Sequence, residues 1–296
     1  MIKGSRSRAV FIVFNYIFLT FIMFLCIVPL VHMLAVSLSD NRYAVAGMVT
    51  LWPKGFTTSA YSFLYDNPAY LRSLLITLER VGLGIVVNMS LCIITAFALA
   101  QDNAHFHGRT VYAWFFAITM FVHGGTIPTY FVVSKLRLVN TIWALILPGA
   151  LSVWNCVMMM NFFRRLPTAL SEAAFIDGAN YFQVLLRIYL PISLPSLATI
   201  LLFTMVGHWN SWFDGYIYMN YPESYPLQTY LMTVVTSAMQ TTKEFMTPEQ
   251  LEALAKVNEK TLRMAQVFLG ALPIMCVYPF LQRYFIKGMV LGAVKE

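Results

Sequence analysis

The chain has 296 residues, 59% of them hydrophobic and 11% charged. A soluble globular domain runs at about 45–50% apolar and ~25% charged, so this composition excludes one and indicates a polytopic membrane protein. The net charge of +7 is dispersed rather than gathered on one amphipathic face, which argues against nucleic acid as a partner and for cations that set membrane topology.

Six stretches reach the ~20 residues that a helix needs to cross a bilayer: 10–36, 71–99, 111–133, 142–163, 191–215 and 262–286. The first follows Lys3, Arg6 and Arg8, is too long for a cleavable signal and lacks a small-residue cleavage site before its end. It therefore reads as a retained anchor entering from the cytoplasm. An even number of spans puts both termini in the cytoplasm, together with Arg109, Arg164, Arg165, Arg187, Arg283, Lys287 and Lys295, as the positive-inside rule requires. Lys135 and Arg137 dissent, because they fall in a short external turn.

The second span carries Glu79 and Arg80. Charges are tolerated in hydrocarbon only against other helices or water, so these two either line a pathway or pair with helices of a partner subunit. In the third span, His123-Gly124-Gly125-Thr126-Ile127-Pro128 interrupts the helix near its outer end, where free backbone groups need protein or water. The simplest reading is a kink.

Between the fourth and fifth spans lies a charged loop, 164–190. Thr168 to Asp177 suits about three turns of helix, and Gly178 can end it in a left-handed conformation. Asn180 with Gln183 three residues on forms a variant capping box, which starts a second short helix. Ala173 and Ala174 keep the first helix slim enough for a groove on a partner, and Glu172 supplies one charge for a basic residue there.

His208-Trp209-Asn210-Ser211-Trp212-Phe213-Asp214 closes the fifth span. Rings beside amide and carboxylate groups suit a carbohydrate, whose C–H faces stack while its hydroxyls need hydrogen bonds. An interfacial aromatic belt accounts for the same tryptophans. On a continuous helix Asn210 and Asp214 share one face and Trp209 and Trp212 another, so the first pair is expected on the substrate path, with Trp209 or Trp212 partly structural and Glu79 a further pathway candidate.

The polar regions 37–70 and 216–261 then face outward, the second with a predicted helix over 248–259. Its Glu249, Glu252, Glu259, Lys256 and Lys260 make a solvated surface or a docking surface for an external partner. Residues 287–296 form a cytoplasmic tail in which Gly288 and Gly292 permit close backbone approach. Cys26, Cys92, Cys156 and Cys276 have neither metal-ligand nor disulfide spacing and read as reduced core filler. No internal repeat appears, so 1–296 reads as one all-α transmembrane domain.

Glu172-Ala173-Ala174, three residues, Gly178, nine residues, then Ile188-x-Leu190-Pro191 resembles the EAA loop of the membrane subunits of ATP-binding-cassette (ABC) importers. Further stretches are similar to the carbohydrate-uptake permeases of the maltose type: Gly125 to Tyr130, Leu138 to Pro148, and Tyr278 to Lys295. The Gly-Gly-Thr-Ile-Pro and His-Trp-Asn-Ser-Trp signatures resemble the branch for oligosaccharides such as aldouronates. The resemblance implies six spans and a bacterial cell-membrane location. It also implies a second homologous permease subunit, two ATPase subunits that bind ATP and Mg, an extracytoplasmic solute-binding protein, and an oligosaccharide as cargo. Glu172, Ala173, Ala174, Asp177 and Gly178 then belong to the ATPase-coupling surface, joined by Gly288 and Gly292 of the tail. The chain has no Gly-x-x-x-x-Gly-Lys-[Ser/Thr] phosphate loop, no metal-ligand cluster and no nucleophile elbow, so ATP hydrolysis is not expected of it. An ion-gradient-driven secondary transporter is the alternative. It needs coupling-ion ligands near the midplane or pseudo-symmetric broken helices, and neither is legible in the sequence.

Overall fold

Apolar length dictates helices throughout, because a backbone in hydrocarbon must satisfy its own hydrogen bonds. The structure, a computed structural model, describes residues 6–102, 105–236 and 259–293. Its α-helices are α1 (Arg6–Ser37), α2 (Asn41–Val45), α3 (Ser59–Tyr65), α4 (Pro68–Ala100), α5 (Arg109–Phe121), α6 (Thr126–Lys135), α7 (Ile142–Ile146), α8 (Val153–Phe163), α9 (Thr168–Ile176), α10 (Tyr181–Val184), α11 (Leu190–Ile192), α12 (Leu194–Asn210), α13 (Phe213–Tyr218), α14 (Leu227–Thr236) and α15 (Glu259–Ala293). Among the described residues the one extended pairing is an isolated bridge between Ser39 and Phe56.

Three helices are long and apolar enough to cross a membrane alone: Val10–Ser37 of α1, α4, and Lys260–Phe280 of α15. Three further spans are bent pairs: α5 with α6 at 117°, Ile142–Gly149 with α8 at 52°, and Tyr181–Ile192 with α12 at 86°. The six expected spans are therefore present, but 111–133, 142–163 and 191–215 are not straight rods. The third stops at Phe121 because Val122 is extended and Gly125 sits at φ +82°, a region open to glycine. The fourth bends after Pro148, whose ring sits in a 3-10 turn, and restarts where the Ser152 side chain accepts from Asn155 N–H. The fifth bends at Ser193, just before Pro195, and its helix ends at Asn210 rather than 215.

The chain divides into two compact units, residues 1–71 with 233–272 and residues 72–232 with 273–296. In the first, Ala35, Val36, Ala44 and Val49 form a small core against Met264. Polar contacts close it: Ser37 Oγ lies 2.7 Å from the Tyr61 hydroxyl, and Lys260 Nζ donates to Ala44 O at 3.0 Å. Burial raises the Tyr61 hydroxyl above its ordinary pKa, with the Ser37 hydrogen bond pulling the other way. The apolar side chains of α1 from Val10 to Val28 are largely exposed, as lipid-facing or partner-facing residues must be.

The second unit has its main core where α4, α8, α12 and the 164–190 loop meet: Cys92, Ala96, Phe97, Cys156, Met159, Phe163, Val184, Leu185, Tyr189 and Ile200. Phe97, Phe163 and Tyr189 pack edge-on with centroids 5.1–6.2 Å apart, a geometry favoured by the ring quadrupole. Cys92 and Cys156 are buried filler as expected. Cys26 and Cys276, by contrast, are exposed, and all of these thiols are free. The predicted external helix over 248–259 lies outside the described residues up to Glu259, which opens α15.

Candidate functional site

Two places in the second unit carry the functional candidates. The first is the segment from α9 to α11. Its first helix ends as the sequence predicts: Gly178 has φ +82°, Gly178 N–H donates to Phe175 O at 3.0 Å and Ala179 N–H to Ala174 O at 2.9 Å. That pair of bonds is a Schellman motif, which satisfies the last carbonyls of a helix. The Asn180–Gln183 capping box is complete in both directions at 2.9 Å. One π-type turn, Leu185–Tyr189, then leads into α11, and the Tyr189 ring fixes the segment to Phe97 and Phe163. The outer surface presents Glu172, Ala173 and Asp177, flanked by Ile176 at 86% and Phe182 at 64% exposure. Ala174 and Phe175 turn the other way and pack on the core.

The second place is the end of α12. Arg80 of α4 is 2% exposed, and its guanidinium fork is spent on four partners: Nε donates to His208 Nδ1 at 3.4 Å, Nη1 to Ser211 O at 3.3 Å, Nη2 to Leu145 O at 3.3 Å, and both Nη atoms to the Asp214 carboxylate. Asp214 Oδ1 also accepts from Ser211 Oγ and Gly215 N–H, both at 2.8 Å. The other face of His208 meets Asn88 at 3.0 Å. With the Asn88 amide oriented to donate to Gly84 O and Ala150 O, its oxygen accepts from His208 Nε2. The imidazole then carries its proton on Nε2 and accepts from Arg80 on Nδ1. Gly84 makes this possible, since a Cβ there would lie 2.5 Å from His208 Nε2. A buried cation is stable only when paired and fully hydrogen-bonded, and Arg80 meets both conditions.

Beside this joint lies a cavity of about 340 Å³ between the break in the third span and α13, lined by His123, Gly124, Gly125, Thr126, Thr129, Phe213, Asp214, Ile217 and Tyr218. Burial first, and then the Asp214 carboxylate, raise the Tyr218 hydroxyl above its ordinary pKa, so it stays a neutral group. Asn140, held at φ +64°, ties the neighbouring turn to this wall by donating its N–H to Tyr218 O at 3.0 Å and accepting from Asn220 N–H through Oδ1 at 2.6 Å.

No family model matches the chain. It is, however, 34% identical over 282 residues to the polygalacturonan/rhamnogalacturonan transport system permease protein YtcP of Bacillus subtilis, covering 95% of this chain and 96% of that one. To protein LplC of the same bacterium it is 35% identical over 292 residues, covering 99% and 97%. The chain belongs to the ABC transporter permeases of sugar uptake. The permease also shares its fold with a bacterial ABC transporter involved in the import of the acidic polysaccharide alginate: TM-score 0.86, 27% identity, covering 96% of this chain and 100% of that one.

The structure distributes the expected site residues unevenly. Glu172, Ala173, Asp177 and Gly178 share the exposed surface of the loop, whereas Ala174 packs inward. Gly288 and Gly292 lie within α15, which carries the backbone helix on to Ala293. Glu79 is exposed and forms no ion pair among the described residues; its neighbour Arg80, one position and about 100° round the helix, takes the buried role. Asn210 and Asp214 do not share a helical face, because Ser211 is extended (φ −72°, ψ 123°) and breaks the helix between them. For the same reason Trp209 is buried at 4% exposure and Trp212 is exposed at 38%, with Trp212 packing edge-on to Phe213. Asp214 lines the cavity and Asn210 does not. Sequence reading did not single out the exposed Ile176 and Phe182, and it missed the pairing of Arg80 with Asp214; the one legible signal for the latter was an arginine in an apolar span with Gly84 a turn beyond.

Proposed function

We propose that the permease moves an oligosaccharide into a bacterial cell as one of two homologous membrane subunits, driven by two ATPase subunits that bind ATP and Mg and supplied by an extracytoplasmic binding protein. Both termini and the 164–190 loop face the cytoplasm. The observation that carries this reading is the α9–Gly178–α10 segment: a short helix with Glu172 and Ala173 outward, capped at both ends of its turn and braced on an aromatic core. Such a braced segment transmits a push as a rigid body. ATP binding stabilises one conformation of the ATPase pair over another, and a ligand shifts an equilibrium only by that differential affinity. The segment passes the shift to α8 and α12, alternating access to the sugar path.

The relatives' names support a narrower cargo class. Polygalacturonan and alginate, named for two of them, are acidic polysaccharides, so oligosaccharides that include uronic acid units are the proposed substrates. Replacing Glu172 with alanine tests the coupling: the variant inserts at ordinary abundance, and sugar uptake falls at least about tenfold. Ordinary uptake at ordinary abundance would contradict the assignment.

A further inference from the structure

The cavity at the break in the third span combines two kinds of surface. His123, Thr129 and Asp214 bring hydrogen-bonding groups and the exposed Phe213 brings a ring, while the buried Tyr218 backs the wall by stacking on Tyr130. A pyranose ring needs this mixture, since its C–H faces pack on rings while its hydroxyls require partners. At about 340 Å³ the cavity falls at the lower end of the ~300–1,000 Å³ of small-molecule sites, which suits one sugar unit rather than a long segment.

The hydrogen bonds at Asp214 sharpen this. Its Oδ1 is filled by Arg80, Ser211 and Gly215, whereas Oδ2 accepts from Arg80 alone among the described residues. With one donor against three on Oδ1, Oδ2 is the oxygen with room for a hydroxyl. The carboxylate side chain is 23% exposed while that of Arg80 is 2% exposed, which leaves the acceptor at the cavity and the compensating cation behind it. A lone carboxylate would repel an acidic sugar; a compensated one does not.

We propose that this cavity is a subsite for one sugar unit of the transported oligosaccharide, with Asp214 Oδ2 accepting a hydroxyl, and that Arg80 is a positioning residue that aims the carboxylate and cancels its charge, so that uronate units enter beside neutral ones. The proposal rests on the transport reading above.

The test uses the complete transporter, reconstituted in liposomes with its ATPases and binding protein. Initial uptake of an oligogalacturonate is divided by uptake of its carboxyl-reduced, neutral counterpart, and this ratio does not depend on how many transporters are active. Asp214→Asn leaves the arginine charge uncompensated and raises the acid-to-neutral ratio about fivefold; Arg80→Gln leaves the carboxylate uncompensated and lowers it about fivefold. A merely structural role slows both sugars together and leaves the ratio where it was. Should Arg80→Gln fail to assemble, the double variant Arg80→Gln with Asp214→Asn takes its place. With both charges gone the ratio returns to within about twofold of the unaltered transporter, and a ratio still as high as in Asp214→Asn overturns the proposal. If the unaltered transporter takes up neither sugar, the transport reading falls and the subsite with it. If it takes up either one and the substitutions leave the preference unchanged, the subsite alone is overturned.

Discussion

The proposed coupling segment, α9 to α11, and the polar joint at the end of α12 are held together in opposite ways. In the segment, the bonds that set its shape link near neighbours: Gly178 to Phe175, Ala179 to Ala174, and Asn180 with Gln183. In the joint, Arg80 reaches partners 65 to 134 positions away. A locally closed segment keeps its form whatever its neighbours do, which suits a part that transmits force. A joint tied to several helices holds only while all of them stay in register, which suits a part whose geometry reports the state of the span.

The first way to break this contrast is to remove Arg80. Arg80→Ala takes the donor from His208, Ser211, Leu145 and Asp214 at once, and removing one partner of a buried ion pair costs about 3–5 kcal/mol. Because Asp214 is partly exposed, the lower end is expected, read as a lowered melting temperature of the purified permease. A loss below ~1 kcal/mol would mean that the joint is not a long-range tie. Gly178→Val comes next. A β-branched residue at φ +82° costs about 1–2 kcal/mol, and because the closure is local the cost should fall on transport rather than on abundance, measured as uptake per permease in membranes. Smallest is Asn180→Ala, which removes one half of the capping box for about 1 kcal/mol and should slow uptake less than Gly178→Val does. Equal or larger slowing would show that the second short helix, not the hinge, sets the shape of the segment.

The same contrast governs what could be read from the sequence. The helix over 168–177, its glycine end and the capping box rest on residues within a few positions of one another, and each is where the sequence put it. Span length is also a local property, so six crossings were legible. The His123–Pro128 break was visible from its glycines, but its 117° angle was not, because that depends on what α6 packs against: Val133 meets Ala144, Leu145 and Tyr218. The Asn210–Asp214 face was misread because it assumed an unbroken helix across Ser211. The partners of Arg80 could not be read from the sequence, since no periodicity links it to Asp214.

Ile176 offers the most direct test of the coupling assignment. At 86% exposure it contributes little to the fold of the permease, so Ile176→Asp should change stability by no more than about 0.5 kcal/mol. If the segment docks on an ATPase, the same change places a charge in an apolar contact. The measurement is the amount of ATPase recovered per permease when the complex is purified through this chain. The expected result is ordinary permease abundance with ATPase recovery reduced at least about tenfold; full recovery together with ordinary uptake would contradict the claim that this surface couples the permease to ATP.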